Sequence, residues 1–101
     1  DEQDSALETL LDGHKHAPGD PDLNELLARL LRESGQDELA INYLEKALDS
    51  NPRSVPLLAA MGRYLFEDER DDAARTFLMR AEAISPRHPA LREAKAHIAR
   101  L

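Results

Sequence analysis

The chain has no cysteine, no tryptophan and few aromatics, with two Tyr and two Phe among 101 residues. Without cysteine it has no disulfide framework, no thiolate metal site and no thiol nucleophile, although this leaves the compartment open. No uninterrupted apolar run approaches the roughly 18 residues that a membrane span needs. The first residues, Asp1-Glu2-Gln3-Asp4, are acidic where a secretory leader would be basic. A soluble chain is therefore expected, with the cytoplasm favoured. The sequence begins without Met, as a processed form or a segment of a longer protein would. Basic charge is also scarce: 13 Lys and Arg stand against 20 Asp and Glu, a net charge of −7. A nucleic-acid binder needs a basic face, so that class is excluded. Neither a Gly-rich phosphate loop nor a G-x-S-x-G elbow is present, so no catalysis is expected. The four His form no H-E-x-x-H pair. His14 and His16 are two apart and do not share a helix face, and His88 and His97 lie at opposite ends of one segment. No metal or other cofactor is expected.

Ala and Leu dominate the apolar residues, which favours helix over strand. Ala6, Leu7, Leu10 and Leu11 form one stripe over residues 2–15, ended by Ala17-Pro18-Gly19. Asp20 is a good N-cap and Pro21 suits a first helical turn. That second helix runs to about Glu33, with Leu23, Leu26, Leu27, Leu30 and Leu31 apolar, and Ser34-Gly35 stops it. A third spans Asp37 to Asp49 with Leu39, Ala40, Tyr43, Leu44, Ala47 and Leu48 as its stripe, and Pro52 follows. Ser54 caps a fourth, which carries Leu57, Leu58, Met61, Leu65 and Phe66 to about Phe66. The charge run Glu67–Asp72 reads as an exposed turn into a fifth helix, Asp71–Ile84, with Ala73, Ala74, Phe77, Leu78, Ala81 and Ile84 buried. His88-Pro89 opens a sixth, to about Arg100, with Leu91, Ala94, Ile98 and Leu101 apolar. Turns this short oblige neighbouring helices to run antiparallel.

A single period relates these helices. Pro18, Pro52 and Pro86 are 34 residues apart, and so are Ala6, Ala40 and Ala74; Leu10, Leu44 and Leu78; and Gly13, Ala47 and Ala81. In the preceding helices Leu27 aligns with Met61, Ala28 with Gly62 and Leu31 with Leu65, while Asp20, Ser54 and His88 share the cap position. This pattern resembles the tetratricopeptide repeat, a helix-turn-helix unit of 34 residues. The resemblance implies an all-α helix-hairpin solenoid in one domain, residues 1–101: a half-repeat over 2–18, full repeats over 21–54 and 55–88, and a half-repeat or capping helix over 89–101. Small residues (Ala28 or Gly62, Ala40 or Ala74) let two helix backbones approach, and Ala47 and Ala81 do the same toward the next hairpin. The family's usual first-helix aromatic is replaced by Asn24 and Leu58, and its usual Tyr by Leu31 and Leu65. The usual loop Gly is Gly35 in one repeat and Glu69 in the next.

The resemblance also implies a protein-interaction scaffold that binds a peptide or partner protein along its first helices. The residues at the lining places are Asp22, Glu25, Arg29 and Arg32; Pro56, Ala59, Arg63 and Phe66; and Ala90, Glu93, His97 and Arg100. Arg29, Arg32, Arg63, His97 and Arg100 make a basic ladder, with Phe66 as an apolar rung. Guanidinium groups pair carboxylates bidentately, which suits an acidic or C-terminal-carboxylate peptide. The bland alternative is that these Arg pair with Glu25, Glu33 and neighbours four residues away, as solvated surface. Members that bind chaperone tails carry Lys and Asn where this chain has Glu25 and Arg29, or Ala59 and Arg63, so that clamp is absent. The first half-repeat lacks its partner, leaving Leu7, Leu10 and Leu11 partly uncovered. Either the chain belongs to a larger array, or this end self-associates into a homo-oligomer. Residues 1–50 carry 13 acidic and 4 basic side chains, net −9, and residues 51–101 carry 7 and 9, net +2. Such halves could meet head to tail, or be unevenly solvated surface. One consequence of the repeat is testable at once. Ala40→Leu overpacks the helix crossing and is expected to lower stability by roughly 1–3 kcal/mol in chemical denaturation.

Overall fold

A computed structural model of the chain describes residues 2–101, the Gln3 side chain excepted. Six α-helices and no strand occur among the described residues: α1 (Glu2–His16), α2 (Pro21–Glu33), α3 (Asp37–Ser50), α4 (Val55–Glu67), α5 (Asp71–Ile84) and α6 (Pro89–Ala99). They form two compact units that meet in sequence between Pro52 and Arg53. In the first, α2 packs on both α1 and α3; in the second, α4 packs on both α5 and α6.

The repeat is visible first in the helix ends. Asp20 Oδ1 accepts from the Leu23 N–H at 3.0 Å, the Ser54 hydroxyl accepts from Leu57 N–H at 3.5 Å, and His88 Nδ1 accepts from Ala90 N–H at 3.0 Å. All three caps precede a proline in the first turn, where the missing N–H costs nothing. The second helices of each hairpin, α3 and α5, have no side-chain cap. Instead they carry Asp37 and Glu38, or Asp71 and Asp72, in the first turn, where the helix dipole favours negative charge.

The turn inside each hairpin is one motif built twice. Gln36 N–H reaches back to Leu31 C=O (2.8 Å) and Gly35 N–H to Arg32 C=O (3.0 Å). Arg70 N–H reaches Leu65 C=O (2.8 Å) and Glu69 N–H reaches Phe66 C=O (3.1 Å) in the same way. This Schellman pairing needs a left-handed residue. Gly35 supplies it at φ 83°, and Glu69 adopts it at φ 62°. The backbone hydrogen bonds therefore overrule the side chain's preference for negative φ.

The turn between α1 and α2 is held differently. Asn24, fully buried, donates from Nδ2 to Pro18 C=O and Asp20 C=O, and Asn51 Nδ2 donates to Gly19 C=O. Two side-chain amides thus reach three successive carbonyls, of which Asp20 C=O also accepts the Asn24 N–H. The departure at Asn24, where the family carries an aromatic, is explained by this polar role.

The core of the first unit is Leu27, Ala28, Leu31, Ala40, Ile41, Leu44, Ala47 and Leu48. The α3 stripe differs from expectation: Leu39 is 41% exposed and Ile41 only 2%, so the buried face is turned toward Ile41. In the second unit Val55, Leu57, Leu58, Ala59, Met61, Tyr64 and Leu65 are buried on α4, with Leu91 and Ala94 on α6. Only Ala74 and Ala81 are fully buried on α5; Ala73, Phe77, Leu78 and Ile84 are half-buried. Leu101 lies past the end of α6 and is 69% exposed, so it does not join the core. At Gly62 an added Cβ would sit 2.6 Å from two Leu78 side-chain carbons, so a side chain there would collide with α5.

Among the described residues, no helix is long and apolar enough to cross a membrane. The left-handed Glu69 has a direct consequence. Glu69→Gly should raise stability by about 0.5–1 kcal/mol, the released strain being partly offset by a more flexible unfolded chain. Gly35→Glu should lower it. Thermal unfolding of the two variants is expected to shift in opposite directions, by a few degrees each.

Candidate functional site

The basic ladder predicted along the first helices is unevenly realised. On α2, Arg29 is exposed and makes no ion pair or hydrogen bond among the described residues. The expected pairing with Glu25 or Glu33 is therefore not what holds its guanidinium. Arg32, one turn further along α2, is half-buried and has partners of its own. On α4, Ala59 is only 2% exposed and cannot line an open surface.

In the second unit two of the expected site residues, Arg63 and His97, meet the same partner. Arg63 and Phe66 stand three residues apart on α4, and His97 and Arg100 three apart at the end of α6. That spacing puts each pair on one helix face, and α4 packs on α6. Arg63 Nε donates to Glu67 Oε1 at 3.3 Å. His97 Nε2 approaches the same oxygen at 2.8 Å. Side chains from two helices thus meet at one carboxylate oxygen, and the His97 contact is an ion pair when its ring is protonated. The cluster is neither buried nor free in water: the side chains of Arg63, His97 and Glu67 are 35%, 38% and 22% exposed. The Arg63 guanidinium carbon lies 5.2 Å from the Tyr64 ring centroid, a cation–π contact that steadies it. Phe66 is half-buried, and Arg100 is exposed with Nε donating to Ala96 C=O at 3.2 Å.

Glu67 was not foreseen from the sequence, where it falls in the charge run expected to be an exposed turn. The helix extends through it, and the turn is Asp68-Glu69-Arg70. The available signal was its position four residues after Arg63, the spacing at which side chains meet on a helix. Its pairing with His97 could not be read, because the two lie 30 residues apart in the chain.

The outer side of α6 carries Pro89, Arg92, Glu93 and Ala96 around a shallow hollow of about 340 Å³. Lys95 of α6 forms an ion pair with Glu82 of α5. At the other end of the chain, Leu7, Leu10 and Leu11 of α1 are each half-buried. The His14 ring meets Tyr43 edge-on at 5.0 Å and 88°, so its contact is with an aromatic ring of α3. Among the described residues no group of three or more His, Asp or Glu is gathered as a metal site.

The family model described as tetratricopeptide repeat matches residues 31–98, roughly two-thirds of the chain. The chain belongs to the tetratricopeptide repeat family. Its helical hairpins, repeated caps and twice-built Schellman turn are those of an all-α helix-hairpin repeat. Neither the curated proteins nor the solved structures contain a significant match. Tetratricopeptide repeats are protein–protein interaction modules and are typically non-catalytic, so a protein partner is the ligand class for this chain. Within the tetratricopeptide hairpin formed by α4 and α5, the second unit supplies the charged cluster, and α6 completes it. Partly exposed ion pairs of this kind couple by about 0.2–1 kcal/mol. A double-mutant cycle of Glu67→Gln and His97→Gln, read by denaturation, should return a coupling in that range.

Proposed function

We propose that the protein is an interaction module that binds a partner peptide through its carboxylates, either acidic side chains or a free C-terminus. The contact face is the side of α4 and α6 bearing Arg63, Phe66, His97 and Arg100. Arg29 and Arg32, on α2 of the first unit, are by themselves basic candidates of the same chemistry. The observation that carries this reading is the convergence of Arg63 Nε and His97 Nε2 on one carboxylate oxygen. A guanidinium placed to hold one carboxylate can hold another, and its charge-assisted bonds are the strong ones. Phe66 offers an apolar surface one turn from Arg63 for a neighbouring side chain of the peptide.

A fluorescein-labelled hexaglutamate peptide is a suitable probe. Its affinity should fall as salt rises, and Arg63→Glu should weaken it by at least about tenfold. Unchanged affinity in that variant would overturn the assignment of the face.

A second reading rests on α1. Leu7, Leu10 and Leu11 remain half-covered, and the first half of the chain is strongly acidic while the second is mildly basic. Self-assembly through α1 onto another copy would cover those leucines. Sedimentation at high concentration should then show a dimer or larger species that Leu10→Asp reduces to monomer. A strict monomer in both chains rules this out.

A further inference from the structure

The carboxylate already held by Arg63 and His97 belongs to the protein itself. Glu67 is placed for this by two independent constraints. It is four residues after Arg63 on α4, so the two side chains meet on one face. It is also in the last turn of α4, against α6, where His97 reaches it. The Arg63 guanidinium contributes its Nε to this bond, while its face rests on the Tyr64 ring. The cluster is partly open to solvent, so an incoming carboxylate can reach it.

We infer that Glu67 is an internal competitor, a built-in stand-in for the ligand carboxylate that sets the strength and selectivity of binding. This rests on the peptide-binding reading above and deepens it. In the free protein Glu67 occupies Arg63 Nε and lies against His97 Nε2, and its negative charge offsets that of Arg63. A monovalent ligand must displace or share that carboxylate, so a single acidic group gains little. A peptide with several carboxylates, or with a carboxylate beside an apolar side chain for Phe66, offsets the exchange through added contacts. The face is thereby tuned against free small carboxylates and toward extended acidic segments. Glu67 also repels ligand carboxylates directly, and both effects vanish together when its charge is removed.

Glu67→Gln keeps the shape and removes the charge. Circular dichroism and thermal unfolding establish that the variant is folded. Hexaglutamate should bind it about fivefold tighter than the parent chain at low salt, a factor set by the typical strength of such a pair. The gain should shrink at high salt. Glu45→Gln, on the exposed face of α3, removes the same charge elsewhere and should leave affinity unchanged. Combining Arg63→Glu with Glu67→Gln should abolish the gain. Equal or weaker binding by Glu67→Gln, in a chain whose hexaglutamate affinity still depends on Arg63, overturns the inference while leaving the face intact. An equal gain in Glu45→Gln also overturns it, because net charge would then be the cause. Absence of binding by the parent chain and every variant overturns the face and the inference together.

Discussion

The structure depends on how closely two helices can approach. Each hairpin buries side chains of one carbon or none. Ala28, Ala40 and Ala47 are fully buried in the first unit, and Ala74 and Ala81 in the second, where Gly62 is also buried. With backbones this near, every larger residue around the crossing is committed to a single fit. Leu78 lies so close to Gly62 that no Cβ would fit between them. Interiors at crystal-like density do not absorb an extra methylene without moving something. The long aliphatic side chains Leu27, Leu44, Leu57, Leu58 and Met61, all fully buried, fill the space that the small residues leave at either side.

Close crossing also governs the turns. Two helices drawn together at their middles need a tight, reproducible reversal at their ends, and the Schellman turn is the same in both hairpins down to its hydrogen-bond pattern. That demand is strong enough to hold Glu69 in a left-handed conformation that costs an L-residue roughly 1–2 kcal/mol. The turn before α2 has no such motif. Its carbonyls are met by Asn24 and Asn51, so different chemistry satisfies the same requirement that no buried polar backbone group go unpaired. The proposed binding face lies on what the crossing leaves outside. On α4, Arg63 and Phe66 remain half-exposed, and the last turn carries Glu67. The ion-paired cluster is a by-product of packing α6 on α4, and the same packing gives it its geometry.

Much of this was legible in the chain. Helix bounds follow from caps, prolines and the apolar period because those are local rules, and α5 begins and ends where its sequence pattern does. The small residues were legible through repetition at 34 residues. The stripe on α3 was misjudged because Leu39 and Ile41 are equally apolar, and local pattern alone cannot choose between two adjacent faces. Which one is buried depends on where α2 lies. On α5 six apolar residues were expected to be buried, and only two alanines are fully so, because exposure is decided by neighbours rather than by hydropathy. Glu67 was hidden for a related reason: charge runs are usually solvated, and its partner His97 comes from another helix.

By itself, then, the sequence determined the kind of protein this is. Caps, period and small-residue spacing are short-range and repeated, so each is read without knowing the rest of the fold, and together they specify a tetratricopeptide repeat. What only the tertiary structure decided is which charges meet. Arg63, Glu67 and His97 become one cluster because α6 folds back on α4, a contact between residues far apart in the chain. Electrostatic pairing depends on distance in space and falls off within a few ångströms of solvent-screened separation. No local pattern encodes that distance, so the sequence names Arg63, Phe66, His97 and Arg100 as candidates, and the meeting of Arg63 and His97 at Glu67 appears only once the helices are packed.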